Sequence, residues 1–142
     1  MKRLSVIMIL ALLFSAGCCK TEENVPKIED YEWRMFSVQS MEDGQGLAYG
    51  ECGGSTSETA KQIELTCAAK NGNLTITDKT NTKTYSGTYS LAEKSSQANI
   101  YEIVIEGMEG MAVVSMTTYQ NGKEEPTFII SLEDYAVNFY AK

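Results

Sequence analysis

Residues 61–78 read KQIELTCAAKNGNLTITD, and this stretch decides the fold class. In its first half, apolar side chains recur at every second position, which is the period of a β-strand with one face on a core. These side chains are Ile63, Leu65, Cys67 and Ala69. Asn71-Gly72 follows, a dipeptide that tolerates positive φ at both central positions of a tight hairpin turn. Because Leu74 and Ile76 then restart the alternation, the stretch predicts two antiparallel strands.

The same alternation recurs on both sides of this stretch. The further strand candidates are Glu32–Val38, Leu47–Glu51, Tyr85–Leu91, Tyr101–Glu106, Met111–Tyr119, Phe128–Leu132 and Tyr135–Phe139. Turn candidates between them are Gly107–Gly110, Asn121-Gly122 and Glu133-Asp134. Short turns favour pairing between successive strands, so we predict an all-β antiparallel meander of about eight strands. Such a meander protects its edges best by closing into an up-and-down barrel, and an open two-sheet sandwich is the alternative.

The N-terminus has the composition of a secretory signal. Lys2 and Arg3 precede the apolar run Leu4–Phe14, and the small residues 15–17 stand directly before Cys18. A helix over that run would rise roughly 16 Å, well short of the ~30 Å hydrocarbon core of a bilayer. We therefore predict that residues 1–17 are a cleaved signal helix.

Residues 14–18, FSAGC, resemble the bacterial lipobox. The resemblance implies cleavage before Cys18, a diacylglycerol on its sulfur and an acyl chain such as palmitate on its new amino group. Chains of this kind would make attachment to the membrane effectively permanent. Cys19 is the alternative acceptor, and an ordinary soluble secreted protein is the alternative reading of the whole segment.

Residues 18–29 are polar, contain Pro26 and show no hydrophobic periodicity, so we predict an acylated cysteine followed by a flexible tether. Lys20-Thr21-Glu22-Glu23 is similar to the export signal of surface lipoproteins in the Bacteroidetes, in which a lysine is followed closely by two acids. That resemblance implies the outer membrane and its outward leaflet, whereas any hydrophilic linker is the alternative.

The folded domain is predicted to span residues 30–142. Trp33, Gly87-Thr88-Tyr89 and the aromatics between Asn121-Gly122 and Phe139 resemble the pattern of lipocalin-like lipoproteins of the Bacteroidetes. The resemblance implies a lipocalin-like barrel, whose interior is just wide enough to be filled by side chains or to hold one small ligand. The aromatic candidates for contact with a small hydrophobic ligand are Trp33, Tyr85, Tyr89, Tyr101, Phe128 and Phe139. A packed core is the alternative for the same residues.

Composition argues against several functions. The chain has no histidine, which removes His-based catalytic triads, imidazole zinc sites and histidine ligation of haem. We expect no enzyme activity, no metal and no cofactor apart from the lipid on Cys18. Loss of Lys2 and Arg3 with the signal takes the formal charge from −7 to −9, which argues against a nucleic-acid partner.

Cys52 and Cys67 are the two cysteines of the predicted domain. In an exported protein an even pair suggests a disulfide. If Leu47–Glu51 and Lys61–Ala69 form a hairpin, however, the two side chains lie roughly 20 Å apart. A bridge and two unpaired thiols therefore both stay open.

Two functional hypotheses follow. The first is a membrane-anchored lipocalin-like barrel that binds a small hydrophobic ligand. The second is a structural or interaction lipoprotein with a filled core, whose surface binds an envelope protein or glycan. The volume of the barrel interior separates them, because a carrier needs a cavity of several hundred Å³.

Overall fold

The structure is a computed structural model that describes residues 25–54 and 58–141. The predicted signal, Cys18 and the beginning of the tether lie outside these ranges. No helix within them has the length and apolar character needed to cross a bilayer.

One sheet contains all the strands of the described chain. In chain order they are β1 (Trp33–Ser40), β2 (Gly46–Tyr49), β3 (Lys61–Gln62), β4 (Leu65–Lys70), β5 (Asn73–Asp78), β6 (Lys83–Lys94), β7 (Ala98–Ile105), β8 (Met108–Thr118), β9 (Glu124–Ser131) and β10 (Tyr135–Ala141). From β4 to β10 each strand pairs antiparallel with the next, and β1 closes the ring by pairing with both β10 and β4. The predicted antiparallel meander barrel of eight strands is confirmed, and the sandwich alternative is wrong.

β2 and β3 lie outside this ring of eight strands. β1 pairs with β4 through Trp33 and Arg34, whereas its second half pairs with β2 from Ser37 onward. β3 runs parallel to β2, so Leu47–Glu51 and Lys61–Ala69 do not form the hairpin considered for the positions of the two cysteines. Because β1 has a single edge on this side, β2 and β4 divide its length between them.

The predicted strand Lys61–Lys70 is interrupted at Ile63-Glu64, because its first part pairs with β2 and its second part pairs with β5. Ile63 still donates its backbone N–H to the carbonyl of Tyr49 in β2, over 3.0 Å. The next carbonyl, that of Glu64, accepts from the N–H of Lys79 just beyond β5. The chain therefore changes partner between these two residues, from β2 to β5.

Positive backbone angles mark two tight hairpins. Asn71 and Gly72 have φ of 51° and 81°, as predicted for this dipeptide. The β7–β8 turn uses Glu106 and Gly107 in the same way, with φ of 49° and 80°. This turn comes earlier than the expected Gly107–Gly110, because Met108 already belongs to β8.

The strand period sends one set of side chains into the barrel. In β7, Tyr101, Ile103 and Ile105 are buried, while Glu102 and Val104 between them are exposed. The largest side chains that are almost completely buried are Trp33, Phe128, Ile28, Met35, Leu74, Ile103, Ile130, Val114 and Cys67. Full burial of an apolar side chain of this size stabilises a fold by about 1.5–3 kcal/mol, so this interior is the main source of stability.

One end of the barrel is covered by the chain that precedes β1. A 3-10 turn, Ile28–Asp30, places Ile28 at 0% exposure inside the barrel, and Pro26 is also buried. We call residues 26–30 the plug, and the end they cover, where the β4–β5, β6–β7 and β8–β9 turns lie, the plugged end. The prediction of a flexible tether is wrong for these residues, because the apolar Pro26 and Ile28 bury themselves in the barrel mouth.

Candidate functional site

The aromatic residues proposed to line a ligand pocket pack against one another in the barrel interior. Trp33 and Phe128 have ring centroids 5.3 Å apart, and Phe128 stacks on Phe139 at 5.1 Å. Tyr89 and Tyr101 form a second pair, edge to face, at 5.8 Å. These are the separations of favourable aromatic pairs, which leave no room for a ligand between the rings.

Tyr85, the sixth aromatic candidate, differs from the other five. It is only partly buried, and it packs against the edge of the core rather than inside it. The sequence could not separate it from Tyr89, because both side chains share the inward face of β6.

Polar bonds hold the plug in the barrel mouth. Asn99 donates from Nδ2 to the carbonyl of Pro26 at 2.9 Å, and Trp33 donates from Nε1 to the carbonyl of Ile28 at 2.9 Å. The backbone N–H of Ile28 donates to the Tyr101 hydroxyl at 3.2 Å. Buried hydrogen bonds of this kind are expensive to leave unmade, so β1 and β7 fix the plug in one position.

The two tyrosines that face the plug are both held in their neutral form. Burial raises the pKa of Tyr89 above its usual value near 10, and the bond from its hydroxyl to Glu29, at 2.8 Å, raises the pKa further. Burial also raises the pKa of Tyr101, opposed by the hydrogen bond from the Ile28 backbone. The bond between Tyr89 and Glu29 therefore depends on a protonated phenol, whereas Tyr101 accepts its bond from the plug.

Two depressions of the described surface lie away from the aromatic core. One is a crevice of about 10 Å³ between β1, β4, β10 and the chain after β2, with room for about one water molecule. The other, about 350 Å³, is open to solvent over β5, β6 and β7 beside Gly87. Neither depression is lined by any of the six aromatic candidates. The interior therefore has the character of a packed core.

A polar cluster, formed by Arg34, Glu51, Cys52 and Tyr140, lies on the outer wall beside the small crevice. The Arg34 guanidinium is 3.7 Å from the Glu51 carboxylate, and the Tyr140 hydroxyl donates to the Cys52 sulfur at 3.4 Å. The hydrogen bond to Cys52 and then burial raise the pKa of Tyr140, against the lowering effect of Arg34. The cluster offers an accessible thiol among polar groups that already pair with one another.

Two glycines allow the chain after β2 to approach β1 this closely. A Cβ atom on Gly50 would stand 2.0 Å from the carbonyl oxygen of Met35, and one on Gly53 would stand 2.2 Å from that of Phe36. Both distances are far below van der Waals contact, so any side chain at either position would displace the segment. The spacing of Gly50 and Gly53 was the signal in the sequence for this close approach.

The two cysteines of the barrel are unbridged and lie in different environments. Cys67 points inward from β4 at 0% exposure, and burial raises the pKa of its thiol to about 12. Cys52 is exposed on the outer wall. The structure therefore has two unpaired thiols rather than a disulfide, and only the thiol of Cys67 is buried.

Within residues 25–54 and 58–141, no three histidine, cysteine, aspartate or glutamate side chains come together as a metal site would need. Comparison with protein-family models, with curated proteins and with solved structures finds no match to the chain. The resemblance to lipocalin-like lipoproteins stays a prediction that rests on the motifs of the sequence.

Proposed function

We propose that this chain is an exported bacterial lipoprotein, anchored to the outer membrane through Cys18, whose barrel acts through its outer surface. Its partner in this proposal is an envelope protein or glycan. The observation that carries the proposal is the filled interior, in which Trp33, Phe128 and Phe139 occupy the space that a ligand would need.

The plug supports the same choice between the two hypotheses. A carrier must admit its ligand, and at this end admission would break the bonds that Asn99, Trp33 and Tyr101 make to the plug. Breaking those bonds would leave buried donors and acceptors unsatisfied, at about 1–3 kcal/mol each. An interaction module needs no such opening.

The outer wall supplies surface suited to a partner. Phe36 and Leu47 project outward from β1 and β2, with 46% and 37% of their surfaces exposed. Interfaces commonly combine a few exposed apolar or aromatic anchors with a polar surround. The polar cluster of Arg34, Glu51, Cys52 and Tyr140 lies beside them, because Arg34 is in β1 and Glu51 follows β2, and it can form part of that surround.

The anchor is tested by mass spectrometry of the mature N-terminus of the full chain, expressed in a bacterium that processes lipoproteins. We expect cleavage before Cys18 and a mass increase from three acyl chains on that residue. Cys18→Ser should abolish the modification, and Cys19→Ser is the matched control that should keep it. An unmodified Cys18 in the mature protein would overturn the proposal.

The surface role is tested by cross-linking in intact cells. A photoreactive residue is placed at Phe36 or Leu47 on the outer wall, and at Thr88 of β6 on another part of the wall as the control. We expect a reproducible cross-linked species from the first two positions only. Native mass spectrometry of the purified full chain tests the alternative function. A stoichiometric, non-covalently bound lipid would contradict the surface role and favour a carrier.

A further inference from the structure

The chain enters the barrel at a fixed place. The plug is hydrogen-bonded to β1 and β7, and Val25, the first described residue, lies next to it at the plugged end. Cys18 precedes Val25 by seven residues, which can span at most about 25 Å when fully extended. A lipid on Cys18 would therefore hold the plugged end close to the membrane surface.

Charge is distributed unequally between the two ends of the barrel. The segments that connect strands at the plugged end, together with residues 26–32, carry Lys27 and Lys123 against three acids, a net charge of −1; the acids are Glu29, Asp30 and Glu32. At the opposite end, the β1–β2, β3–β4, β5–β6, β7–β8 and β9–β10 connections carry one lysine, Lys79, against six acids, a net charge of −5. Those acids are Glu42, Asp43, Glu64, Glu106, Glu133 and Asp134.

This difference favours one orientation on a bilayer. Anionic lipids repel acidic surfaces over about a Debye length, and the repulsion grows with each added carboxylate. Two acids at each end accept hydrogen bonds within the protein, Glu29 and Asp30 at the plugged end and Asp43 and Glu106 at the opposite end, so the ends differ in the number of their acids. The plugged end therefore approaches an anionic surface at lower electrostatic cost.

Exposed apolar side chains surround the plugged end. Tyr31 follows the plug, Leu91 lies near the end of β6, and Tyr119 lies in the β8–β9 turn, with exposures of 36%, 55% and 46%. Tyrosine is enriched where proteins meet the headgroup region of a bilayer. The opposite end also exposes Met41, Met108 and Tyr135, but these lie in or beside the turns that carry most of the acids.

We propose that the plugged end rests on the bilayer that holds the Cys18 anchor, with Tyr31, Leu91 and Tyr119 at the headgroup level. The acidic end then points away from the membrane and presents its turns to the surroundings. This inference rests on the proposed lipid anchor and adds to it a defined orientation of the barrel.

Hydroxyl-radical footprinting tests the orientation. The lipidated full chain is bound to vesicles of phosphatidylcholine and phosphatidylglycerol, and the Cys18→Ser chain is labelled with the same vesicles as the unanchored reference. We expect oxidation of Tyr31, Leu91 and Tyr119 to fall several-fold in the anchored protein. Oxidation of Met41, Met108 and Tyr135 at the opposite end should stay unchanged.

The outcomes separate this inference from the anchor itself. A chain that does not float with the vesicles contradicts the anchor, whereas one that floats with both ends equally oxidised overturns only the orientation. Leu91→Glu should restore oxidation at Tyr31 and Tyr119, and Met108→Glu is the matched control that should not. Protection that occurs in native membranes but not in protein-free vesicles would assign the plugged end to a protein partner and also overturn the proposal.

Discussion

The two halves of the barrel exclude water to different degrees. In the half nearer the plug, Ile28, Trp33 and Phe128 have no exposed surface. In the half nearer the β9–β10 turn, Ile105 and Ile130 are also buried, but Leu132 and Val137 at the mouth are only partly buried. The same eight strands form both halves, and the difference at the mouth coincides with the position of the plug. Hairpin turns alone leave a barrel mouth partly wet, and a separate segment of chain is needed to seal it.

The largest effect that tests this comparison is a difference in thiol reactivity. At pH 8 we expect Cys67 to be alkylated about 10³-fold more slowly than Cys52, because burial raises the pKa of Cys67 to about 12 and restricts access of the reagent. Peptide mapping by mass spectrometry after timed iodoacetamide treatment measures both rates in the full chain. Ile28→Ala should accelerate the reaction at Cys67, and equal rates in the native protein would contradict a sealed half.

Truncation of a core aromatic ring should reveal the same difference in stability. Phe128→Ala removes the ring between Trp33 and Phe139, and we expect a loss of about 3–5 kcal/mol in the free energy of unfolding. Tyr85→Ala is the counterpart among the partly buried side chains and should cost about 1–2 kcal/mol. Equilibrium denaturation in urea measures both, and similar losses would show that the halves are packed alike.

The plug should contribute less to the free energy of unfolding than the aromatic rings of the core, but more than an exposed residue. Ile28→Ala leaves an apolar cavity at a site with no exposure, and we expect a loss of about 2–4 kcal/mol. Met41→Ala, at the exposed opposite end, is the matched control and should change stability by less than about 0.5 kcal/mol. A neutral result at Ile28 would mean that the barrel is sealed without its plug.

The smallest effect is confined to alkaline pH. Folding raises the pKa values of Tyr89 and Tyr101 above their unfolded value near 10, so their contribution to stability is complete well below pH 10 and is lost as the pH rises through the folded values. We expect the free energy of unfolding to fall between pH 9 and pH 11, with phenolate absorbance at 295 nm reporting the ionisation.

Tyr101→Phe and Tyr119→Phe provide the comparison for this pH dependence. Tyr101→Phe removes one of the two titrating groups at the plug, so the loss of stability between pH 9 and pH 11 should become smaller. Tyr119 is exposed in a turn, and Tyr119→Phe should leave the loss unchanged. An equal dependence in both variants would show that the plug does not respond to ionisation of Tyr101.

The strands were predictable because their signals are local. The alternation from Ile63 to Ile76, with Asn71-Gly72 between the two runs, contains both the inward face and the turn that joins the strands. The β7–β8 turn was placed too late because positive φ falls on Glu106, a residue type with no strong preference for that region.

The plug and the path of β2 and β3 were not predictable, because they depend on contacts far apart in the chain. Pro26 and Ile28 stand in a polar stretch, and their partners Asn99 and Tyr101 are 73 residues away. All six aromatic candidates face inward and five of them are buried, but residue type cannot tell a packed core from a pocket. That distinction depends on the ring distances.

The pairing between β1 and β4 is the weak line of the eight-stranded ring, because it is short. Trp33 and Arg34 provide the only two residue pairs between β1 and β4, whereas β7 and β8 share eight. Thermal opening of the cylinder should therefore start along this line, with β2 and β3 acting as a strap that limits how far the edges separate. Since this strap lies outside the eight-stranded ring, its sequence and length are the part of the barrel most free to diverge between related chains.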